Sequence, residues 1–280
     1  MFNLIDCHSH SNNSIDAENS VDEMCKKAMT LGLSAYAITD HVECCSKTWI
    51  FGENEKDREP VYFKDIFENS MRAISVAKEK YGDKLNLLAG LELGEPCHDL
   101  EASNAYSNDE RLDFIIASVH QMRDYPDFYF MDFNDYDIPS LMEKYFNEIY
   151  ETCKWGNFDV FGHLTYTLRY MEGKQGFNVD MRPYDDIIHE CFKTLIENGK
   201  GIEINSSGLR QKYGFTIPKF EYIKMFRDCG GEIISIGSDS HCAEDLGKGI
   251  SEATDLARQA GFKYISYFKK RKPNFVKIEK

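Results

Sequence analysis

Six of the eight histidines in this 280-residue chain stand at the ends of short apolar runs. The run Ile5-Asp6-Cys7-His8-Ser9-His10 ends in two imidazoles spaced i, i+2. In a strand that spacing puts both rings on one face. Two neutral imidazoles side by side gain little from each other and suit a divalent ion. The later runs end in Thr39-Asp40-His41, Gly90-Leu91-Glu92, Ala117-Ser118-Val119-His120, Gly162-His163, Glu203-Ile204-Asn205 and Gly237-Ser238-Asp239-Ser240-His241. Only His98 and His189 lie elsewhere. Histidines that served only packing would be scattered, so the pattern predicts one metal site assembled from many strand ends. Asp16, Glu92 and Asp239 each have a bland reading alone: a turn residue, an end-of-strand acid, a turn cap. The company of six histidines makes all three candidate ligands.

The elements that must position these residues alternate along the whole chain. Apolar runs predict strands over 3–7, 35–39, 85–91, 114–119, 159–162, 201–204 and 233–236. Helical periodicity predicts helices over 21–31, 63–81, 139–155, 183–198, 218–229 and 249–260. Ser20 with Glu23 three residues on forms a capping box before the first helix. Pro139, Pro183 and Pro218 suit first-turn helical positions. The alternation predicts seven parallel strands with helical crossovers, whose C-terminal ends gather on one face. With no repeat, low-complexity tract or Gly/Ser linker, residues 1–280 are expected to form one domain.

Composition narrows the function classes. Hydrophobic residues make up 42%, including 19 Phe and 16 Tyr, enough for a sizeable core. No apolar run approaches membrane-spanning length. The first strand begins almost at Met1, which leaves no room for a cleaved leader, so a cytoplasmic protein is expected. The net charge of -14 argues against non-specific nucleic-acid binding. It leaves room for a phosphorylated substrate, because bound cations reverse the local field. The nine cysteines contain no Cys-x-x-Cys pair and read as reduced thiols, Cys44 and Cys45 beside His41 included. No Cys-x5-Arg motif is present, which disfavours a cysteinyl-phosphate mechanism.

The ordered set His8-Ser-His10, Asp16, Thr39-Asp40-His41, Gly90-Leu91-Glu92, Ser118-Val-His120, Gly162-His163 and Ser238-Asp239-Ser-His241 resembles the polymerase and histidinol phosphatase (PHP) superfamily. The resemblance implies a distorted (β/α)7 barrel with three divalent metal ions (Zn, Fe or Mn). It implies one metal on His8, His10, Glu92 and Asp239, a second on Asp16, His41 and His241, and a third on His120, His163 and a bridging Glu92. The stretches 90–96 and 203–210, with Arg169 six residues after His163, look like the histidinol-phosphate phosphatase branch. That branch implies hydrolysis of L-histidinol phosphate, a small phosphorylated metabolite, in histidine biosynthesis. Arg169 and Arg210 are then candidate forks for the phosphate, against a reading as solvated surface arginines. Where the branch often has Tyr-Pro-Ser, this chain has Thr216-Ile-Pro-Lys219, which makes Lys219 a possible substitute contact.

The chemistry expected from such metals is attack on phosphorus by a metal-activated hydroxide. Metals and arginines would neutralise the non-bridging oxygens. Glu92, Asp239 and His241 are the catalytic candidates, the last two nearest the leaving alkoxide, with a metal-carried water as the alternative proton source. Three other functions compete. One is a PHP phosphoesterase acting on a sugar or nucleotide phosphate. Another is an amidohydrolase, which shares His-x-His on strand one but adds a strand-four lysine where this chain has His120. The third is a regulatory or polymerase-associated module, which the intact ligand set and lack of an appended domain disfavour. The acidic, aromatic stretch 124–137 reads either as a lid or as a solvated loop anchored by its aromatics, and the loop 49–60 is unusual in length.

Overall fold

A computed structural model describes residues 4–44 and 63–279; Cys45 and the 49–60 loop lie outside the described residues. The strands are β1 (Ile5–Asp6), β2 (Ala35–Ile38), β3 (His41–Glu43), β4 (Leu87–Gly94), β5 (Phe114–Ser118), β6 (Val160–Phe161), β7 (Gly201–Asn205) and β8 (Ile234–Gly237). All pair in parallel in the order β1-β2-β4-β5-β6-β7-β8. β3 continues the position of β2 beyond a break at Thr39-Asp40: Ile38 faces Ala89 on β4 and His41 faces Glu92. The sheet closes between its first and last strands. Cys7 N–H donates to Ile236 C=O at 2.9 Å, Asp239 N–H to His8 C=O at 2.8 Å and His10 N–H to Ser240 C=O at 2.8 Å. The result is a (β/α) barrel with seven strand positions. Its strands are buried on both faces, as a parallel sheet between helices requires.

The crossover helices are α1 (Val21–Leu31), α2 (Phe63–Tyr81), α3 (Leu100–Ser107), α4 (Ile138–Trp155), α5 (Asp185–Glu197), α6 (Phe220–Asp228) and α7 (Ile250–Ala260). The Ser20–Glu23 capping box is formed, and Gly32 ends α1 at φ 67°. α3 is not foreseen from the sequence; it is a short helix capped by Asp99. Of the three prolines, only Pro139 sits in an α-helical first turn. Pro183 belongs to a 3-10 turn ahead of α5. Pro218 precedes the Lys219 cap, because Ile217 is still bridged to Asn205 of β7 and the chain stays extended there.

The end of the barrel opposite the site is closed by a hairpin that the sequence pattern does not announce, β9 (Tyr264–Lys269) and β10 (Lys272–Lys277). Phe268 is buried against Phe114, ring centroids 5.2 Å apart. Its turn residues Lys270 and Arg271 donate backbone N–H groups to Asp113 Oδ1 at 3.0 Å and Asp113 C=O at 2.9 Å. Arg271 Nε also donates to Asp159 Oδ2 at 2.6 Å.

Candidate metal centre

Just beyond β1, the fully buried side chains of His8 and His10 point into the mouth of the barrel. Their Nε2 atoms are 3.2 Å apart. His8 Nδ1 lies 2.7 Å from Glu203 Oε1 on β7. That carboxylate holds a proton on Nδ1, which leaves Nε2 as the atom that would face a metal. Glu92 Oε2 lies 3.1 Å from His8 Nε2 and 3.4 Å from His10 Nε2. Asp239 Oδ1 lies 3.6 and 3.4 Å from the same two nitrogens. Gly237 makes this packing possible: a Cβ there would sit 2.2 Å from His8 Cβ and 2.4 Å from Glu203 Oε1.

His241 Nε2 and His41 Nε2 approach Asp16 Oδ2 at 3.1 and 3.7 Å. The rings of His41 and His241 stack on His10, each with centroids 4.2 Å away. On the other side, Glu92 Oε1 meets His120 Nε2 at 3.1 Å and His163 Nε2 at 2.8 Å. The structure thus brings all nine candidate ligands to one point, with Glu92 in the middle. Ser118 Oγ donates to Glu92 Oε1 at 2.6 Å.

Two acids complete the surroundings. Glu43 on β3 approaches His41 Nδ1 at 3.2 Å and His120 Nδ1 at 3.3 Å. It fits only because residue 94 is glycine; a Cβ there would overlap Glu43 Oε2. Glu95 accepts from the backbone N–H of His120 at 2.5 Å and of Gln121 at 3.1 Å. Sequence reading passes over Glu43, although His41-x-Glu43 has the same i, i+2 spacing as His8-x-His10. Glu203 is recognisable as a strand-end acid, but its pairing with His8 is not.

The electrostatics are those of a cluster built around cations. Burial, together with the charges of His41 and His241, pulls the His10 imidazole down to about 3. Burial would raise Glu92, but His8, His41 and His120 outweigh it and hold the carboxyl well below its usual range. Asp239 is likewise held low, against burial, by His8, His10, His241 and Arg169. His41 Nδ1 is buried 3.1 Å from Glu92 Oε2, yet it is out of line for a hydrogen bond to any neighbour. Against burial, the neighbouring acids lift His41 to about 9 and raise His8 and His120 well above the ordinary imidazole value, so without a metal these rings hold protons against the carboxylates. Imidazoles and carboxylates converging in this way fit divalent metal ions, which would take the place of those protons.

A cavity of about 1080 Å³ opens above the cluster. Arg169 and Arg210 both line it. Arg169 Nη1 donates to Ser207 Oγ at 3.0 Å and lies 3.4 Å from Asp239 Oδ2, with its guanidinium over the Tyr166 ring at 4.3 Å. Arg210 donates to the carbonyls of Ser238 at 2.6 Å and Asp239 at 2.9 Å. Lys219 is not part of this cavity: it pairs with Glu172 at 2.7 Å and faces a separate surface pocket. The bond to Asn205 that keeps residue 217 extended turns Lys219 away. The stretch 124–137 forms two 3-10 turns anchored by buried Phe128 and Phe133, and it also supplies cavity wall through Asp127, Tyr129 and Phe130. Burial pushes the Asp127 carboxyl up to about 6.

A closed parallel barrel that gathers imidazoles and carboxylates at the C-terminal ends of its strands, beneath an arginine-lined cavity, defines a metal-dependent hydrolase barrel. The chain belongs to the PHP domain family, whose model matches residues 6–207. It is similar to a histidinol-phosphatase of Lactococcus lactis, at 27% identity over 94% of each chain. It is also similar to a probable histidinol-phosphatase of Thermotoga maritima, at 24% identity over 94% of this chain and 95% of the relative. The crystal structure of the Lactococcus lactis histidinol phosphate phosphatase, complexed with Zn, L-histidinol and phosphate, shares the fold. Its TM-score is 0.78 at 23% identity, covering 97% of this chain and 99% of that one.

Proposed function

We propose that this protein is a metal-dependent phosphomonoesterase that hydrolyses L-histidinol phosphate to L-histidinol and phosphate. The observation that carries the proposal is the convergence of two arginines on one cavity with the ligand cluster at its base. The names of relatives matched over 94% of this chain support the choice of substrate. The nine ligands are assigned to three ions: His8, His10, Glu92 and Asp239; Asp16, His41 and His241; His120, His163 and the shared Glu92. When bound, such ions supply an activated water and neutralise phosphoryl oxygens.

The chain's own groups do the rest. Arg169 is fixed by Ser207, Asp239 and the face of Tyr166, so its fork is pre-aimed at a dianion beside the cluster. Arg210 commits two donors to the carbonyls of Ser238 and Asp239; it therefore sets the position of the Asp239 loop as well as the local positive charge. Asp239 and His241, 3.7 Å apart and with Asp239 3.4 Å from Arg169, are the groups nearest the leaving alkoxide; because both are assigned as ligands, a water carried by a metal is the alternative source of its proton. Histidinol carries an amine and an imidazole. The wall of Asp127, Tyr129 and Phe130 offers a carboxylate and aromatic faces to such a leaving group. No described helix is long and apolar enough to cross a membrane. The eight described cysteines are all free, as a reducing cytoplasm favours.

The test is phosphate release by the purified protein, loaded in turn with Zn, Mn or Fe, from a panel of phosphomonoesters. L-Histidinol phosphate is expected to exceed sugar and nucleotide monophosphates in kcat/KM by roughly 100-fold or more. Equal turnover across the panel would instead mean a general PHP phosphoesterase, and cleavage of amides alone would reject phosphatase chemistry.

A further inference from the structure

Asp40 is a buried carboxylate that does not line the cavity. Its Oδ1 accepts from Ser11 N–H at 2.6 Å and Ser14 Oγ at 3.1 Å. Its Oδ2 accepts from Ser11 Oγ at 2.8 Å and from Ser70 Oγ, on α2, at 2.5 Å. Among the described residues it has no ion pair. Burial raises this carboxyl above its usual range, and three hydroxyls and one peptide N–H, all directed at its oxygens, oppose that shift and make it an acceptor on every side.

Ser14 connects that carboxylate to the metal centre. Its oxygen accepts from the backbone N–H of His41 at 3.0 Å and lies 3.4 Å from His10 Nδ1. A hydroxyl has one proton, and Asp40 can only accept, so the Ser14 proton goes to Asp40. The Ser14 oxygen is then an acceptor toward both histidines, and His10 Nδ1 must be the donor. That leaves the His10 Nε2 lone pair free, and Nε2 is the atom that faces His8, Glu92 and Asp239. The same serine lies two residues before Asp16 and anchors the chain where β2 breaks into β3.

We infer that Asp40, acting through Ser14, is a positioning residue that fixes the tautomer of His10 and brings His10, His41 and Asp16 into register. Glu203 does the equivalent for His8 by direct contact; here a hydroxyl is interposed. The inference rests on the metal-centre reading above and adds residues that are not themselves ligands.

The test compares Ser14→Ala, Ser14→Thr, Ser70→Ala and wild type. Each full-length protein is stripped, titrated with Zn2+ against a fluorescent chelator, and checked by far-UV circular dichroism. Ser14→Ala is expected to weaken the affinity of at least one Zn2+ about 10- to 100-fold with an unchanged spectrum. Ser14→Thr restores most of the affinity, and Ser70→Ala, which removes a donor from the side away from the ligands, has the smaller effect. Wild-type affinity in Ser14→Ala, or equal losses in Ser14→Ala and Ser70→Ala, would overturn the inference while leaving the metal centre standing. A wild-type protein that binds no Zn2+ would instead reject the metal-centre reading. Asp40→Asn is a stronger perturbation, expected to lose at least as much as Ser14→Ala. It removes an acceptor shared by four donors, so the serine variants are the deciding ones.

Discussion

The two ends of the barrel use buried charge in opposite ways. At the hairpin end, each acid is matched by one cation and by backbone donors. Asp113 takes Lys78 Nζ at 2.5 Å and the N–H groups of Ala89 and Lys270 at 3.0 Å each. Asp159 takes Arg271 at 2.6 Å and Ile115 N–H at 2.8 Å. At the mouth, the Glu92 carboxylate has five imidazoles within 3.4 Å and, among the described residues, accepts from no backbone N–H; its one hydroxyl donor is Ser118 Oγ. One end is complete in protein atoms alone. The other gathers five imidazoles around one carboxylate, a donor set that suits divalent cations. Stability and chemistry are thus separated along the barrel axis.

The sharpest way to break this contrast is to alter the shared carboxylate. Glu92→Gln is expected to lower kcat/KM by roughly 1,000-fold or more and to remove more than one metal equivalent, because it touches two of the three assigned sites. Glu95→Gln, whose carboxyl meets backbone N–H groups, should do much less. Equal small effects would mean that the ligand assignment is wrong. Elemental analysis of wild-type protein purified without chelator should find more than two metal equivalents; a fully loaded preparation holding one would reject the trinuclear reading.

Next come the arginines. Arg169→Ala and Arg210→Ala should each reduce kcat/KM roughly 10- to 1,000-fold while most of the metal is retained, Arg210→Ala losing the more of it because Arg210 also holds the Asp239 loop, since a charged contact is worth about 1.5–3 kcal/mol or somewhat more. Wild-type kinetics in both would remove them from phosphate binding. A smaller and more selective effect is expected of Asp127→Asn: a loss of about 10-fold on L-histidinol phosphate and little change on a phosphomonoester without a cation, such as glycerol phosphate. Equal losses on both substrates would place Asp127 in the scaffold. The hairpin end should show the reverse behaviour. Arg271→Ala is expected to lower Tm by several degrees, about 1–3 kcal/mol, with kcat per folded molecule unchanged. A drop in kcat without a drop in Tm would erase the separation between the two ends.

The mouth is largely legible in the sequence, and the hairpin end is not. Strand ends that carry His8-x-His10, His41, His120, His163 and Asp239-x-His241 announce themselves because ligands need rare residue types at fixed periodicity. The bounds of α1 and α2 match the sequence reading because capping chemistry and helical periodicity are local. The β9–β10 hairpin lacks such marks. Its turn has positive φ at both Lys270 (50°) and Arg271 (60°), a geometry usually announced by Asn-Gly. Here it is held by the N–H bonds to Asp113, a contact 157 positions away that no local pattern reveals. Lys219 fails as a phosphate contact for a similar reason: a bridge to β7, not its own neighbours, decides where it points.

The closure of β8 onto β1 also has a bearing on synthesis. Asp6 and Ser238, whose hydrogen bond of 2.9 Å helps to seal the barrel, are 232 positions apart. A chain emerging from the ribosome exposes His8 and His10 first and their partners Asp239 and His241 near the end. The metal centre is therefore among the last features to become possible, after most of the loop-closure entropy has been met. The sites that use Asp239 and His241 stay incomplete until then, whereas Glu92, His120 and His163 are already made, so the assigned ions differ in how late in synthesis their ligand sets are complete.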